Sequence, residues 1–168
     1  LMNILDTKRL LLRTIKKDDY EKLYDKVFSD YEVVKNTFGS NMFTKEESFE
    51  FLNKNANHNT KIGLSVIVDK NSGEPIGLGG VLPCSYLNTD DYEIGFILEQ
   101  NSWGKGYAKE IGKAQIEQIK NELKKQRALA LASQENTSSI KTLKALGFKY
   151  KCEVESNRGK RLVYELFF

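Results

Sequence analysis

Asn101-Ser102-Trp103-Gly104-Lys105-Gly106-Tyr107-Ala108 joins two stretches of different hydrophobic period. Before it, Asp91 to Leu98 alternates: Tyr92, Ile94, Phe96 and Leu98 share one face, and Glu93, Gly95 and Ile97 the other, which is a strand pattern. After it, Ala108, Ile111, Ile116, Ile119 and Leu123 lie in one broad stripe, predicting a long helix over about Lys105 to Leu123. Glycines just ahead of a helix let a ligand approach the backbone, and the first-turn N–H groups have no helical partner. Such a turn suits phosphate or pyrophosphate; a helix entry with no ligand is the plain alternative. It is not a Walker A loop, because Lys105 is followed by Gly106-Tyr107, nor a dinucleotide fingerprint, because Lys109 stands where a third small residue is needed.

Downstream, Ala128 to Ala132 predicts a buried strand, and Ser138 to Leu146 a helix with Ile140, Leu143 and Leu146 on one face and Gly147 as its stop. Between them lies the polar run Ser133-Gln134-Glu135-Asn136-Thr137-Ser138-Ser139. One such residue is explained as a helix cap; seven in succession, at the same end of the sheet as the glycine turn, point to a site. Two final strands, about Lys149 to Glu155 and Arg161 to Phe168, flank the turn Asn157-Arg158-Gly159.

Upstream, Leu10 to Thr14 predicts a first strand, and Asp18-Asp19 lead a helix with apolar residues at Tyr20, Leu23, Tyr24, Val27 and Phe28. A short helix covers Tyr31 to Asn36, and Phe38-Gly39-Ser40-Asn41 breaks it. Thr44 and Glu47 form a capping box for a helix carrying Phe49, Leu52 and Ala56 on one face. Lys61 to Val68 and Ile76 to Leu82, joined by Asp69 to Gly73, predict a hairpin. The expected architecture is one α/β domain over residues 1–168: a mixed, mainly antiparallel sheet flanked by helices, with one strand–helix–strand crossover.

Composition narrows the classes. The chain has 168 residues, 40% hydrophobic and 29% charged, which is ordinary for a globular domain able to bury a core. A formal net charge of +3 gives no footprint of a nucleic-acid module; the basic run Lys120 to Arg127 reads as a solvated helix end. Cys84 and Cys152 form no Cys-x-x-Cys motif, and the single His58 stands in a polar run, so no metal site is expected. No apolar run is long enough to span a membrane and no signal-peptide core leads the chain, so a reducing, cytoplasmic setting is expected.

The order strand, Trp103-Gly104-Lys105-Gly106-Tyr107-Ala108, helix, strand, Asn136-Thr137-Ser138-Ser139-Ile140-Lys141, Leu146-Gly147-Phe148 resembles the GNAT acyl-CoA N-acyltransferase superfamily. Within it, the chain is most similar to the branch of ribosomal-protein alanine and serine N-acetyltransferases. Arg9-Leu10-Leu11-Leu12-Arg13, Ser29-Asp30-Tyr31-Glu32-Val33-Val34 and Tyr92-Glu93-Ile94-Gly95-Phe96 extend that resemblance over nearly the whole chain.

The resemblance implies acetyl-CoA as cosubstrate, with pyrophosphate on the amides of Gly104, Lys105, Gly106, Tyr107 and Ala108, beside Trp103, which also supports the turn. The pantetheine arm would run along Phe96, Ile97 and Leu98 and meet Asn136, as an added strand meets a sheet edge. Acetyl transfer to an amine needs a base, for which Glu93 is the candidate, and an oxyanion donor, for which a backbone N–H near Ile97 or Leu98 serves. A tyrosine often protonates the leaving thiolate in this superfamily; Leu143 stands at that position, and Ser139 is the substitute. The bland readings are a structural ion pair for Glu93 and a first-turn polar residue for Ser139. With no cysteine in the motifs, direct transfer is expected. The implied acceptor is a protein N-terminal amine, with a polyamine, amino acid or aminoglycoside as runner-up; a non-catalytic acyl-CoA-binding module is the competing class. Phe167 and Phe168 at the apolar C-terminal end suggest a homodimer, or packing under the chain's own helices.

Overall fold

The computed structural model describes residues 1–39 and 42–168; the Ser40 and Asn41 part of the expected helix break lies outside the described residues. Among the described residues, eight strands form one sheet in the order β1-β2-β3-β4-β5-β6-β8-β7. They are β1 (Asn3–Asp6), β2 (Leu10–Arg13), β3 (Ser65–Asp69), β4 (Pro75–Cys84), β5 (Asp91–Leu98), β6 (Arg127–Ala132), β7 (Lys149–Ser156) and β8 (Gly159–Phe167). All neighbours are antiparallel except β5 and β6, joined by the expected crossover.

The helices are α1 (Asp18–Leu23, continuing as a wide turn over Tyr24–Phe28), α2 (Tyr31–Val34), α3 (Lys45–Asn55), α4 (Tyr107–Glu117) and α5 (Thr137–Ala145). The predicted capping box forms: the Glu47 N–H donates to Thr44 Oγ1 at 3.1 Å and the Thr44 N–H to Glu47 Oε1 at 2.9 Å. On one face of the sheet, α1 to α3 bury Leu23, Phe28 and Leu52 against Val66, Leu78 and Ile97. On the other, α4, its wide-turn continuation over Gln118–Glu122 and α5 bury Ile116, Ile119 and Leu143 against Ile94, Ala130 and Tyr164. Even-numbered residues of β5 thus face α4, and the odd-numbered Glu93, Gly95 and Ile97 face α1 to α3.

Three expectations change. Strand β1 is additional, pinned by the Thr14 N–H donating to the Met2 carbonyl at 2.9 Å. Residues 61–64 precede β3 as irregular chain rather than strand, because the Asn57 side chain organises them: its Nδ2 donates to the Thr60 carbonyl and its Oδ1 accepts from the Thr60 N–H. Helix α4 starts at Tyr107, because Gly106 in the left-handed region, at φ 79°, cannot continue a right-handed helix. No helix is long and apolar enough to cross a membrane among the described residues. Phe167 is 64% exposed and Phe168 38%, so the chain's own helices do not cover these rings.

Close approach of β4 to β5 requires glycine in β4. A Cβ on Gly77 would lie 2.1 Å from the Ile97 carbonyl oxygen, a contact no side chain survives. The strand beside the site can therefore pack only onto a stripped backbone.

Candidate active site

Strands β5 and β6 pair at a single register point, Glu93 with Leu129. Beyond it they diverge, and a polar side chain occupies the place of the missing neighbour. Gln115 of α4, fully buried, accepts from the Gly95 N–H at Oε1 and donates to the Gly95 carbonyl through Nε2, both at 2.9 Å. Buried backbone groups must be paired, so this amide satisfies β5 while leaving the fork open. Strand alternation turns the Ile97 N–H into the same opening. Nothing in the sequence singled out Gln115; a polar residue on an amphipathic helix reads as solvated. Replacing it with leucine orphans two buried backbone groups, and we expect a loss of about 2–3 kcal/mol in urea unfolding with unchanged slope.

A cleft of about 720 Å³ runs from the fork. Phe96, Ile97 and Leu98 form its floor, Trp103, Gly104, Gly106, Tyr107 and Ala108 one end, Asn136 and Ser139 a wall, and Glu32 and Thr37 the far side. Of the residues expected from sequence to hold the cosubstrate, Lys105 is the one outside this lining; its Nζ lies 6.0 Å from the centre of the Tyr107 ring.

The glycine turn is built from both ends. Gly104 and Gly106 adopt φ values of 75° and 79°, and a Cβ on Gly104 would meet nothing within 4 Å, so the backbone is bare on that side. The Trp103 indole N–H donates to the Leu98 carbonyl at 2.9 Å, tying the turn to β5. Glu110 in the first turn of α4 is clamped by the β1–β2 turn. Thr7 Oγ1 donates to it at 2.6 Å, the Arg9 N–H at 2.9 Å and Arg9 Nε at 2.7 Å. Burial pushes its acidity the other way, but the Thr7 hydroxyl and the Arg9 amide and guanidinium together hold the carboxyl below its ordinary value. The carboxylate is thus occupied away from the amides of Tyr107 and Ala108, leaving a positive helix end facing the cleft.

Asn136 caps α5: its Oδ1 accepts from the Ser139 N–H at 3.2 Å. The capping reading therefore holds, and it leaves the Nδ2 donors with no partner among the described residues on a residue that lines the cleft. Ser139 lines the same wall, while Leu143 is 1% exposed in the core and offers no proton.

Glu93 stands at the crotch of the fork, on the α1–α3 face, and is not part of the cleft lining. Burial is the main influence on its carboxyl and raises its pKa above the ordinary value; Tyr86, Arg158 and Cys84 oppose that shift. Burial also pushes the Cys84 thiol up to about 12 and raises the Tyr86 phenol, so both stay protonated beside Glu93. The buried Tyr86 hydroxyl makes no well-formed hydrogen bond. Phe38 and Phe43 join Phe28 and Phe51 in an aromatic cluster with ring centres 5.0–5.8 Å apart.

A bare-backbone turn at a helix start, an open sheet edge and free amide donors fit an anionic head followed by an amide-bearing arm. Comparison with known proteins agrees. Residues 9–149 match the acetyltransferase (GNAT) domain family. An uncharacterized N-acetyltransferase of Bacillus subtilis, YnaD, is 30% identical over 145 residues, covering 86% of this chain and 82% of that protein. The crystal structure of a GNAT-family acetyltransferase from Bacillus anthracis superposes with a TM-score of 0.81 at 23% identity, covering 99% of this chain and 98% of that one. A ribosomal L7/L12 α-N-protein acetyltransferase, solved in complex with coenzyme A, has the same fold, with a TM-score of 0.74 at 13% identity and coverage of 99% and 98%. The chain thus belongs to the GNAT acetyltransferase domain family, and is an enzyme that uses acetyl-CoA to acetylate an amine.

Proposed function

We propose that the chain acetylates the α-amine at a protein N-terminus, a ribosomal protein being the favoured kind, by direct transfer within one ternary complex. The observation that carries direct transfer is the fork: the cleft opens where β5 and β6 part, and the half-buried acid Glu93 stands at their pairing point. The choice of acceptor is supported by the motif resemblance to the ribosomal-protein branch and by a structural neighbour that acts on a ribosomal protein.

When bound, acetyl-CoA supplies an activated acyl thioester. In this reading the amides of Gly104 to Ala108 hold its pyrophosphate, and Asn136 Nδ2 and the backbone of β5 align the arm. The acceptor nitrogen forms its bond to the acyl carbon as the carbon–sulfur bond breaks. Glu93 takes the proton from the amine, directly or through water, and burial, by raising its pKa, makes its carboxylate a stronger base for that task. The Ile97 N–H stabilises charge on the acyl oxygen. The Ser139 hydroxyl protonates the leaving sulfur and recovers a proton from solvent. The exposed Phe167 and Phe168 support a homodimer through the end of β8.

Thiol release from acetyl-CoA against a panel of N-terminal peptides and small amines tests the acceptor assignment. We expect kcat/KM for peptides bearing a free α-amine to exceed that for polyamines and aminoglycosides by at least about 10-fold, or roughly 1.4 kcal/mol. Turnover of a polyamine or aminoglycoside with none of any peptide would reject it.

A further inference from the structure

The chain has five arginines, at positions 9, 13, 127, 158 and 161. Three are matched to carboxylates: Arg9 to Glu110, Arg13 to Asp19, and Arg127 to Asp91 and Glu165. The other two stand together at the β7–β8 turn and, among the described residues, have no acidic partner within ion-pair distance. Arg13 and Arg161 are equally buried, each 8% exposed. Arg13 has a two-pronged contact with Asp19, at 2.7 and 2.8 Å. The hydrogen bond of Arg161 runs from Nη1 to the carbonyl of its own neighbour Lys160, at 3.0 Å. Its remaining guanidinium donors are not sealed from solvent and make no protein hydrogen bond among the described residues, so they stay open to an incoming anion. Arg158 adds a second positive charge nearby, and burial together with that charge lowers the hold of Arg161 on its proton.

Register places Arg161 on the sheet face of Glu93. Glu93 pairs with Leu129, Leu129 with Glu165, and Leu131 with Val163, so Arg161 projects from the same sheet face as Glu93, the face of α1 to α3. Arg158 Nη1 donates to the carbonyl of Thr37 at 2.8 Å, and Thr37 lines the cleft. The carboxylate of Glu135, another lining residue, accepts from Ser133 Oγ at 2.7 Å and makes no ion pair with either arginine. The guanidiniums therefore border the side of the fork opposite the glycine turn. Charge-assisted, forked hydrogen bonds are what guanidinium offers a carboxylate.

Resting on the acetyltransferase reading above, we infer that Arg158 and Arg161 form an anion subsite for the acceptor, so that the enzyme selects amines carrying a carboxylate close to the reacting nitrogen. Two sources share that chemistry: a free amino acid, and a peptide with an acidic residue beside its N-terminus.

Matched pairs test the inference: amino acids against their carboxamides, and peptides with Asp or Glu at the second position against the same peptides with Asn or Gln. The acidic member should show about 10- to 100-fold higher kcat/KM, the range of one or two charge-assisted hydrogen bonds. Arg158→Gln, an exposed change that does not threaten the fold, should reduce that preference at least several-fold, and Arg161→Gln should abolish it. Acetyl-CoA affinity by calorimetry should stay within about 2-fold, and turnover of the neutral member should fall far less than that of the acidic one, the residual loss reflecting the charge Arg158 places near Glu93. Preference confined to amino acids or to acidic peptides names the source, and either supports the subsite. Equal rates for both members of every pair overturn it while leaving acetyltransfer intact. Loss of acetyl-CoA affinity in Arg158→Gln also overturns it, by assigning the arginines to the cosubstrate. Failure to acetylate any amine rejects the underlying reading and the subsite with it.

Discussion

Gly106→Val abolishes acetyl-CoA binding and leaves the protein folded. At φ 79° a β-branched residue is strained by about 1–2 kcal/mol, a cost a domain of this size survives. A Cβ there would lie 3.5 Å from Arg9 Nη2, an ordinary contact, so the fold itself has room. The damage falls on the ligand, because branched carbons now stand where pyrophosphate must reach the amides of Tyr107 and Ala108. Calorimetry should show at least a 100-fold weaker Kd, about 2.7 kcal/mol, with the cooperative unfolding transition retained. Wild-type protein should bind acetyl-CoA and not ATP or NAD. Unchanged acetyl-CoA affinity in the variant would mean the turn is only a helix entry.

Glu93→Gln should cost about 100- to 1,000-fold in kcat/KM at pH 7, the usual contribution of a positioned base. An α-amine has a pKa near 8, so below that pH it arrives as an ammonium ion and needs an acceptor for its proton. Above it the amine is already neutral, and the deficit should shrink as pH rises. Stability supplies the control. Burial raises the Glu93 pKa in the fold, so the folded state holds this proton more tightly than the unfolded chain. The stability this provides is full below the unfolded carboxyl pKa and is lost as pH rises through the folded value. Glutamine carries no such penalty, so at neutral pH the variant should unfold at the same or a higher urea concentration. A pH-independent loss of rate would contradict the base role.

Much of the fold was legible because the chain changes period where the structure changes type. The alternation of Tyr92 to Leu98 and the stripe from Ala108 to Leu123 predict the crossover, and the crossover locates the glycine turn and the Asn136 run at one end of the sheet. What escaped depends on neighbours. Strand β1 is too short for a pattern and exists through its pairing with β2, whose register is broken between Asn3 and Leu5. Lys61 to Val68 reads as one β-branched and apolar stretch, yet Asn57 holds residues 61–64 in another shape.

The site divides in the same way. Gly104, Gly106, Asn136 and Ser139 announce themselves through motif and position, and all line the cleft. Gln115 could not be anticipated, since its role exists only where β5 loses β6 at Gly95. The arginine pair is invisible for a related reason: an unmatched charge is recognised only after every carboxylate has been assigned. Leu143 illustrates the reverse, a departure from the family pattern visible in sequence whose burial in the core removes any acid role at that position.

Direct transfer is tested most plainly by intact-mass analysis of a single turnover, with enzyme in excess over acetyl-CoA and a peptide acceptor present. One acetylated acceptor amine is expected per thiol released, with an enzyme of unchanged mass at every time point. An acetyl group appearing on Cys84 or Cys152 before it appears on the acceptor, at a rate matching turnover, would contradict direct transfer.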